Sequence, residues 1–74
     1  MKVTDPVELG KAVRARRKEL GYTQKYISEY TGFSVSFISD LENGKETAEI
    51  GKTMTLISLL GLDLKLERRQ ECAG

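Results

Sequence analysis

"LGYTQKYISEYTGFSVSFISDLENGK", Leu20 to Lys45, contains two short helix patterns divided by a glycine. Thr23 is placed to cap the first, which runs to about Thr31 and is closed by Gly32. Ser34 caps the second, which ends at Asn43, with Gly44 supplying a left-handed residue. Helices so short and so close must cross steeply. Gln24, Ser28, Gly32, Ile38 and Leu41 fall at the spacing Q-x3-[small]-x3-G-x5-[IVL]-x2-[IVL], and each residue type has a task in a crossed pair. Ser28 is small where the helices cross, Gly32 permits the positive φ of the turn, and Ile38 with Leu41 pins the second helix to a core. The other faces of that helix carry Ser36, Ser39, Asp40 and Asn43, short polar groups with no core task.

Outward from this pair the chain reads as two more helices and a strand. "DPVE" opens a first helix, with Asp5 as cap, Pro6 at the first helical position and Glu8 where a capping box places its acid. That helix runs to about Leu20 and stops at Gly21, with Leu9, Val13 and Leu20 on one face. A fourth helix spans about Ala48 to Leu60, with Ile50, Met54 and Ile57 on one face and Leu56 and Leu60 beside it; Gly61 stops it. The period then changes to two. Leu62, Leu64 and Leu66 alternate with Asp63, Lys65 and Glu67, the pattern of a half-buried strand. Residues 1–61 are expected to form one domain, 62–69 a strand used for dimerisation, and 70–74 a flexible tail.

Seventy-four residues make one small domain. A chain of this size buries only roughly 60–65% of the surface its unfolded form exposes, so help from a second chain is expected. No apolar run of membrane length and no charged-then-apolar leader is present, which points to a cytoplasmic protein with no membrane partner. Cys72 is the one cysteine and histidine is absent, so the sequence offers no internal disulfide and no metal-ligand spacing. Neither a nucleophile–base pair nor room for a cleft is evident, and no cofactor is implied; the reading is of a protein that is not an enzyme.

The net charge of +1 hides an asymmetry. Lys2 to Lys25 holds seven basic residues against three acidic, and Tyr26 to Ile50 one basic against five acidic. Lys11, Arg14 and Lys18 recur at three- and four-residue spacing on one face of the first helix, either as a solvated face or as a patch that meets phosphates. An outward helix face of the second pattern's width fits the DNA major groove, which favours the patch.

The stretch resembles the helix-turn-helix of the Cro/C1-type (XRE) repressor family, over roughly Leu9 to Gly61. The glutamine opening the second helix, the turn glycine and the "ENGK" that ends the third carry the likeness. Ser28 departs from it, standing where the family usually has alanine. The resemblance implies an all-α, compact four-helix, lambda repressor-like domain. It implies that Gln24 holds a DNA phosphate, with Lys25, Arg14, Lys18, Asn43 and Lys45 also at the backbone. Ser34, Val35, Ser36, Ser39 and Asp40 stand where the family places base-reading side chains, although Ser34 has an N-cap task as well. No side chain there has the two-pronged fork that discriminates bases best, so modest direct readout and a share from DNA shape are expected. Phe37 is open among core, thymine-methyl and partner contacts. Asp40 repels phosphate and fits only as an acceptor from cytosine or facing solvent. Arg17 and Glu42 match an ion pair that many members form, which makes Arg17 structural and leaves Arg14, Arg16 and Lys18 freer for the backbone.

A lone strand cannot satisfy its own backbone groups, so Leu62, Leu64 and Leu66 are expected to pair with the same strand of a second copy, giving a homodimer. A helix-turn-helix ending in "LLGLDLKLERR" looks like the HipB-type antitoxins, which repress their own operon as dimers on double-stranded DNA and bind a HipA-like kinase toxin. The alternative is a phage-type repressor or restriction-modification controller with no toxin. A third reading, as a protein adaptor, rests on Asp40 and the acidic middle segment.

Overall fold

The computed structural model describes residues 2–68 and, among them, four helices: α1 (Pro6–Glu19), α2 (Gln24–Thr31), α3 (Val35–Glu42) and α4 (Ile50–Leu59). Three start on the expected caps. Asp5 Oδ1 accepts the Glu8 N–H at 2.8 Å, Thr23 Oγ1 that of Tyr26 at 3.0 Å, and Ser34 Oγ that of Phe37 at 3.0 Å. Glu8 reaches back to the N–H and hydroxyl of Thr4, at 3.3 Å each, rather than to the cap's own N–H. α4 begins at Ile50, later than expected, and has no side-chain cap.

The helix ends are equally local. α1, α3 and α4 share one two-bond closure, seen in α3 as Gly44 N–H to Leu41 O and Lys45 N–H to Asp40 O. Gly44 takes φ +83°, and a Cβ there would lie 2.9 Å from Val7, so torsion and space both require glycine.

Val13, Ile27, Ile38, Leu41, Leu56, Ile57 and Leu60 form the buried core, with Ile38 fully enclosed. α3 packs against both α1 and α2. Gly10, which sequence reading passed over, lets α1 approach α3 closely: a Cβ there would lie 2.5 Å from Leu41 O and 2.6 Å from Glu42 O. One turn and two turns further along the same stripe come Val13 and Arg17, both buried.

Arg17 and Glu42 form the expected ion pair, and it is buried. Arg17 Nε donates to Glu42 Oε2 at 2.6 Å, its Nη2 to Oε1 at 2.9 Å, and its Nη1 to the carbonyl of Tyr22 at 2.8 Å. The hydrogen bonds to Glu42, helped by its charge and opposed by burial, raise the Arg17 guanidinium above its ordinary pKa. A raised value stabilises the fold wherever the unfolded group is also charged, and the gain is lost only in strong alkali. Arg17 therefore adds no slope to stability between about pH 5 and 9.

One expectation needs correction. The face of α4 that enters the core is Thr53, Leu56, Ile57 and Leu60, while Ile50 (68% exposed) and Met54 (50%) point out. The face drawn through Ile50, Met54 and Ile57 was thus turned by roughly 75° at 100° per residue. Thr53 is the cause: its hydroxyl donates to Glu49 O at 2.7 Å, so this nominally polar residue enters the core with its donor satisfied. The strand expected at Leu62, Leu64 and Leu66 was to pair with a second copy; within the single chain Leu62 to Arg68 is neither helix nor ladder. Among the described residues no strand lies beside it, and Leu66 is 95% exposed. Arg69, the expected tail 70–74 and Cys72 lie outside the described residues.

Glu42→Ala leaves the Arg17 charge buried and unpaired. Urea unfolding should show a loss of about 3–5 kcal/mol, with most of it regained in an Arg17→Met/Glu42→Leu pair. A loss under about 1 kcal/mol would mean that the pair is exchanged readily for water.

Candidate nucleic-acid interface

The crossing of α2 and α3 is fixed by side chains in the turn itself. Ser28 is half-buried and donates its hydroxyl to Phe33 O at 2.5 Å; Thr31 Oγ1 donates to Ile27 O at 2.8 Å and accepts the Phe33 N–H at 3.1 Å. Serine in place of the family's alanine thus adds a tether across the turn. Gly32 takes φ +82°, as the turn requires.

With Ile38 and Leu41 turned into the core, α3 presents Ser34, Val35 and Ser36 to solvent, and Ser39 and Asp40 at its half-buried flank. Ser34 Oγ is used as an acceptor in capping α3, so its O–H is still free to donate outward. Asn43 Nδ2 lies 3.4 Å from Ser39 Oγ, a weak bond that joins two of the expected contact residues. Lys45 Nζ sits 3.3 Å from Asp40 Oδ2, both side chains about half exposed. This exposed pair offsets the misplaced negative charge on the outward face, and it turns Lys45 toward α3.

Ser34, Ser36, Asp40 and Lys45 line one open hollow, together with Thr47 and Glu49. Those last two were missed in the sequence, because the loop after α3 has no periodicity to place it. Phe37 is half-buried: it packs against the core and edge-on against Phe33 at 5.5 Å between ring centres, lies under the Lys52 ammonium at 5.8 Å, and also lines the same hollow as Ser34 and Ser36. The i, i+4 spacing of Phe33 and Phe37 would have allowed that contact only if the turn were known.

Gln24 is the first residue of α2, and its amide donates to Glu42 Oε1 at 3.1 Å. One N–H and the carbonyl oxygen remain for another contact. Lys25 beside it, and Lys11, Arg14 and Lys18 on α1, are exposed. Arg16 departs from expectation. Its Nε donates to Leu60 O at 2.8 Å, closing the end of α4, and its Nη1 pairs with Glu19, so it is a structural residue.

Tyr22 in the turn before α2, and Tyr26 and Tyr30 along it, form an exposed row, the first two rings tilted with centres 4.8 Å apart and the last two stacked at 6.4 Å, beside a groove that Leu56 and Leu59 also line. Their four-residue spacing was legible in the sequence but went unread. Among the described residues no cluster of acids, cysteines or histidines is placed to hold a metal ion, and no helix is long and apolar enough to cross a membrane.

Comparison with known proteins agrees with this geometry. The helix-turn-helix family model matches residues 13–66. An uncharacterized HTH-type transcriptional regulator, y4mF of Sinorhizobium fredii, is 36% identical over 73 residues, covering 93% of this chain and 96% of that one. The competence pilus inhibition repressor of Acinetobacter baylyi is 42% identical over 40 residues, 54% of this chain and 36% of that one. Among solved structures, a HipB–O4 20-mer complex superposes with a TM-score of 0.84 at 23% identity, covering 95% of this chain and 99% of that one. A HipA–HipB–O2-O3 complex gives the same values. At that identity the likeness is one of fold. With the crossed pair formed and the family pattern matched over most of its length, the chain belongs to the helix-turn-helix family of DNA-binding transcriptional regulators.

Proposed function

We propose that the protein is a homodimeric repressor of a palindromic operator, acting as the antitoxin of a HipA/HipB-type operon that represses itself and binds a kinase toxin. The observation that carries the DNA reading is the outward row on α3. Short polar side chains stand on a helix whose opposite face is locked by Ile38 and Leu41. In this reading Ser34, Val35, Ser36, Ser39 and Asp40 face base edges, and Gln24, Lys25, Arg14, Lys18, Asn43 and Lys45 meet the backbone. Lys45 must then leave Asp40, and the freed acid accepts from a cytosine amino group. The fold shared with HipB, which includes a solved assembly with HipA, supports the toxin partner. The second reading is a phage-type repressor or restriction-modification controller without a toxin partner, which rests on the same DNA-facing row of α3. A kinase-like product of a neighbouring gene that co-purifies with this chain selects the first.

Affinity should fall linearly in log K against log salt, by a slope of about 0.9 per phosphate neutralised. Gln24→Ala should weaken all sites alike and, through the lost bond to Glu42, cost about 0.5–1.5 kcal/mol of stability. Selective loss at one base pair in a binding titration would reverse that assignment.

Ser36 is exposed and points away from the core, so a longer side chain there should alter the preferred half-site while leaving the fold intact. Selection from randomised duplexes checks this, and an unchanged preference removes Ser36 from the reading set.

The dimer is assigned to Leu62, Leu64 and Leu66, two reading heads being needed about 34 Å apart. Leu64→Pro removes a ladder donor and a packed side chain together. By sedimentation the variant should be monomeric at micromolar concentration and lose specific binding, with its helical circular dichroism kept; a dimeric, operator-bound variant would place the seam elsewhere.

A further inference from the structure

Gln24 enters α2 with its side-chain amide already committed on one side. Its nitrogen donates to Glu42 Oε1 at 3.1 Å, and the same oxygen accepts from Arg17 Nη2 at 2.9 Å. An ionised carboxylate can only accept, so the reversed amide would set the Gln24 carbonyl oxygen against Glu42 with no proton between them. Glu42 thereby decides which way round the amide stands. Its own position is fixed in turn, because the Glu42 side chain is 3% exposed and both its oxygens are held by the Arg17 fork. Arg17 also donates to the Tyr22 carbonyl at 2.8 Å, so the backbone leading into α2 and the side chain at its first position are both tied to one guanidinium.

A phosphate oxygen accepts hydrogen bonds, and the amide nitrogen is the only donor in the Gln24 side chain. One of its two protons goes to Glu42, which leaves the other for DNA at the N-terminus of α2. A lone carboxylate so near would repel the phosphate. The bidentate guanidinium offsets that charge, so Glu42 holds the amide without making the DNA face negative.

We propose that Glu42, its charge balanced by Arg17, is a positioning residue for DNA binding: it presents the second amide proton of Gln24 to a backbone phosphate, so the buried pair sets DNA affinity as well as stability. This rests on the DNA reading given above and on Gln24 as a phosphate contact within it. Glutamine is among the side chains with most rotamer freedom to lose, and here that loss is taken on folding rather than on binding.

The test is a thermodynamic cycle between Gln24→Ala and the apolar pair Arg17→Met/Glu42→Leu, which removes the anchor without leaving a lone buried charge. Binding is titrated on a duplex that the unaltered chain has selected from randomised sequences, under conditions where urea unfolding shows every variant to be folded. Gln24→Ala should weaken binding about tenfold, the apolar pair by a similar factor, and the triple variant by no more than about twofold beyond either. The slope of log K against log salt should be the same in all four proteins, since the net charge is unchanged. A second measurement needs no variant and decides alone if the apolar pair does not fold. In the nuclear magnetic resonance spectrum of the free protein, one side-chain amide proton of Gln24 should lie downfield, held by Glu42. On addition of the duplex it should keep its shift while the other proton moves.

An apolar pair that binds like the unaltered chain would mean that Gln24 reaches the phosphate without Glu42, and would overturn the proposal. Losses that multiply to about a hundredfold in the triple variant would overturn it too, since the pair would then act on DNA by a separate route. The same holds for a salt slope altered by the apolar pair, or for two amide protons that move together. Gln24→Ala without effect instead removes Gln24 from the phosphate contacts. An unaltered chain that selects no duplex overturns the DNA reading itself.

Discussion

Glu42 is the point at which three helices are tied. Its two oxygens take the fork of Arg17 from α1 and the amide of Gln24 from the start of α2, while Arg17 spends a third nitrogen on the carbonyl of Tyr22 in the turn between them. The end of α3, the end of α1 and the entry to α2 are therefore held by one polar cluster at the edge of the core. A cluster of this kind adds little net stability over a well-packed apolar substitute, yet each member is costly to lose singly. Its geometric effect is to fix the rotation of α3 about its own axis, and with it which residues face outward. Gly10 completes the arrangement by letting α1 approach near enough for Arg17 to reach.

The outward face so defined is built of small side chains. Serines and a valine present single donors, acceptors and one apolar contact, and the acid among them is offset by Lys45. On the proposed reading such a surface admits the duplex closely without selecting bases by paired hydrogen bonds, so groove shape and spacing between two heads carry much of the discrimination. The dimer then governs specificity as much as any single side chain does.

A small core leaves apolar surface over, and here it lies on both flanks of α4. One flank continues into Val3 and Leu64; the other faces the stacked tyrosines of α2. In a chain of this size, surface that cannot be buried internally is surface available to partners. The two flanks are separate, and each leaves a large apolar side chain exposed.

The sequence by itself determined what neighbours along the chain decide. Asp5, Thr23 and Ser34 cap their helices, the glycines close them, and Ile38 with Leu41 faces inward, because these choices depend on bonds spanning six residues or fewer and on a period of 3.6. The spacing from Gln24 to Leu41 made the crossed pair legible for the same reason. The Arg17–Glu42 pair, 25 residues apart, was legible only through the family resemblance. Only the tertiary structure decided that Thr53 enters the core while Met54 does not, that Arg16 closes the end of α4 across 44 residues, and that Phe37 leans on Phe33 beneath Lys52. Hydropathy cannot show that a threonine has satisfied its hydroxyl within its own helix. Nor can spacing tell which distant carbonyl a long arginine will reach, since that depends on which surfaces meet.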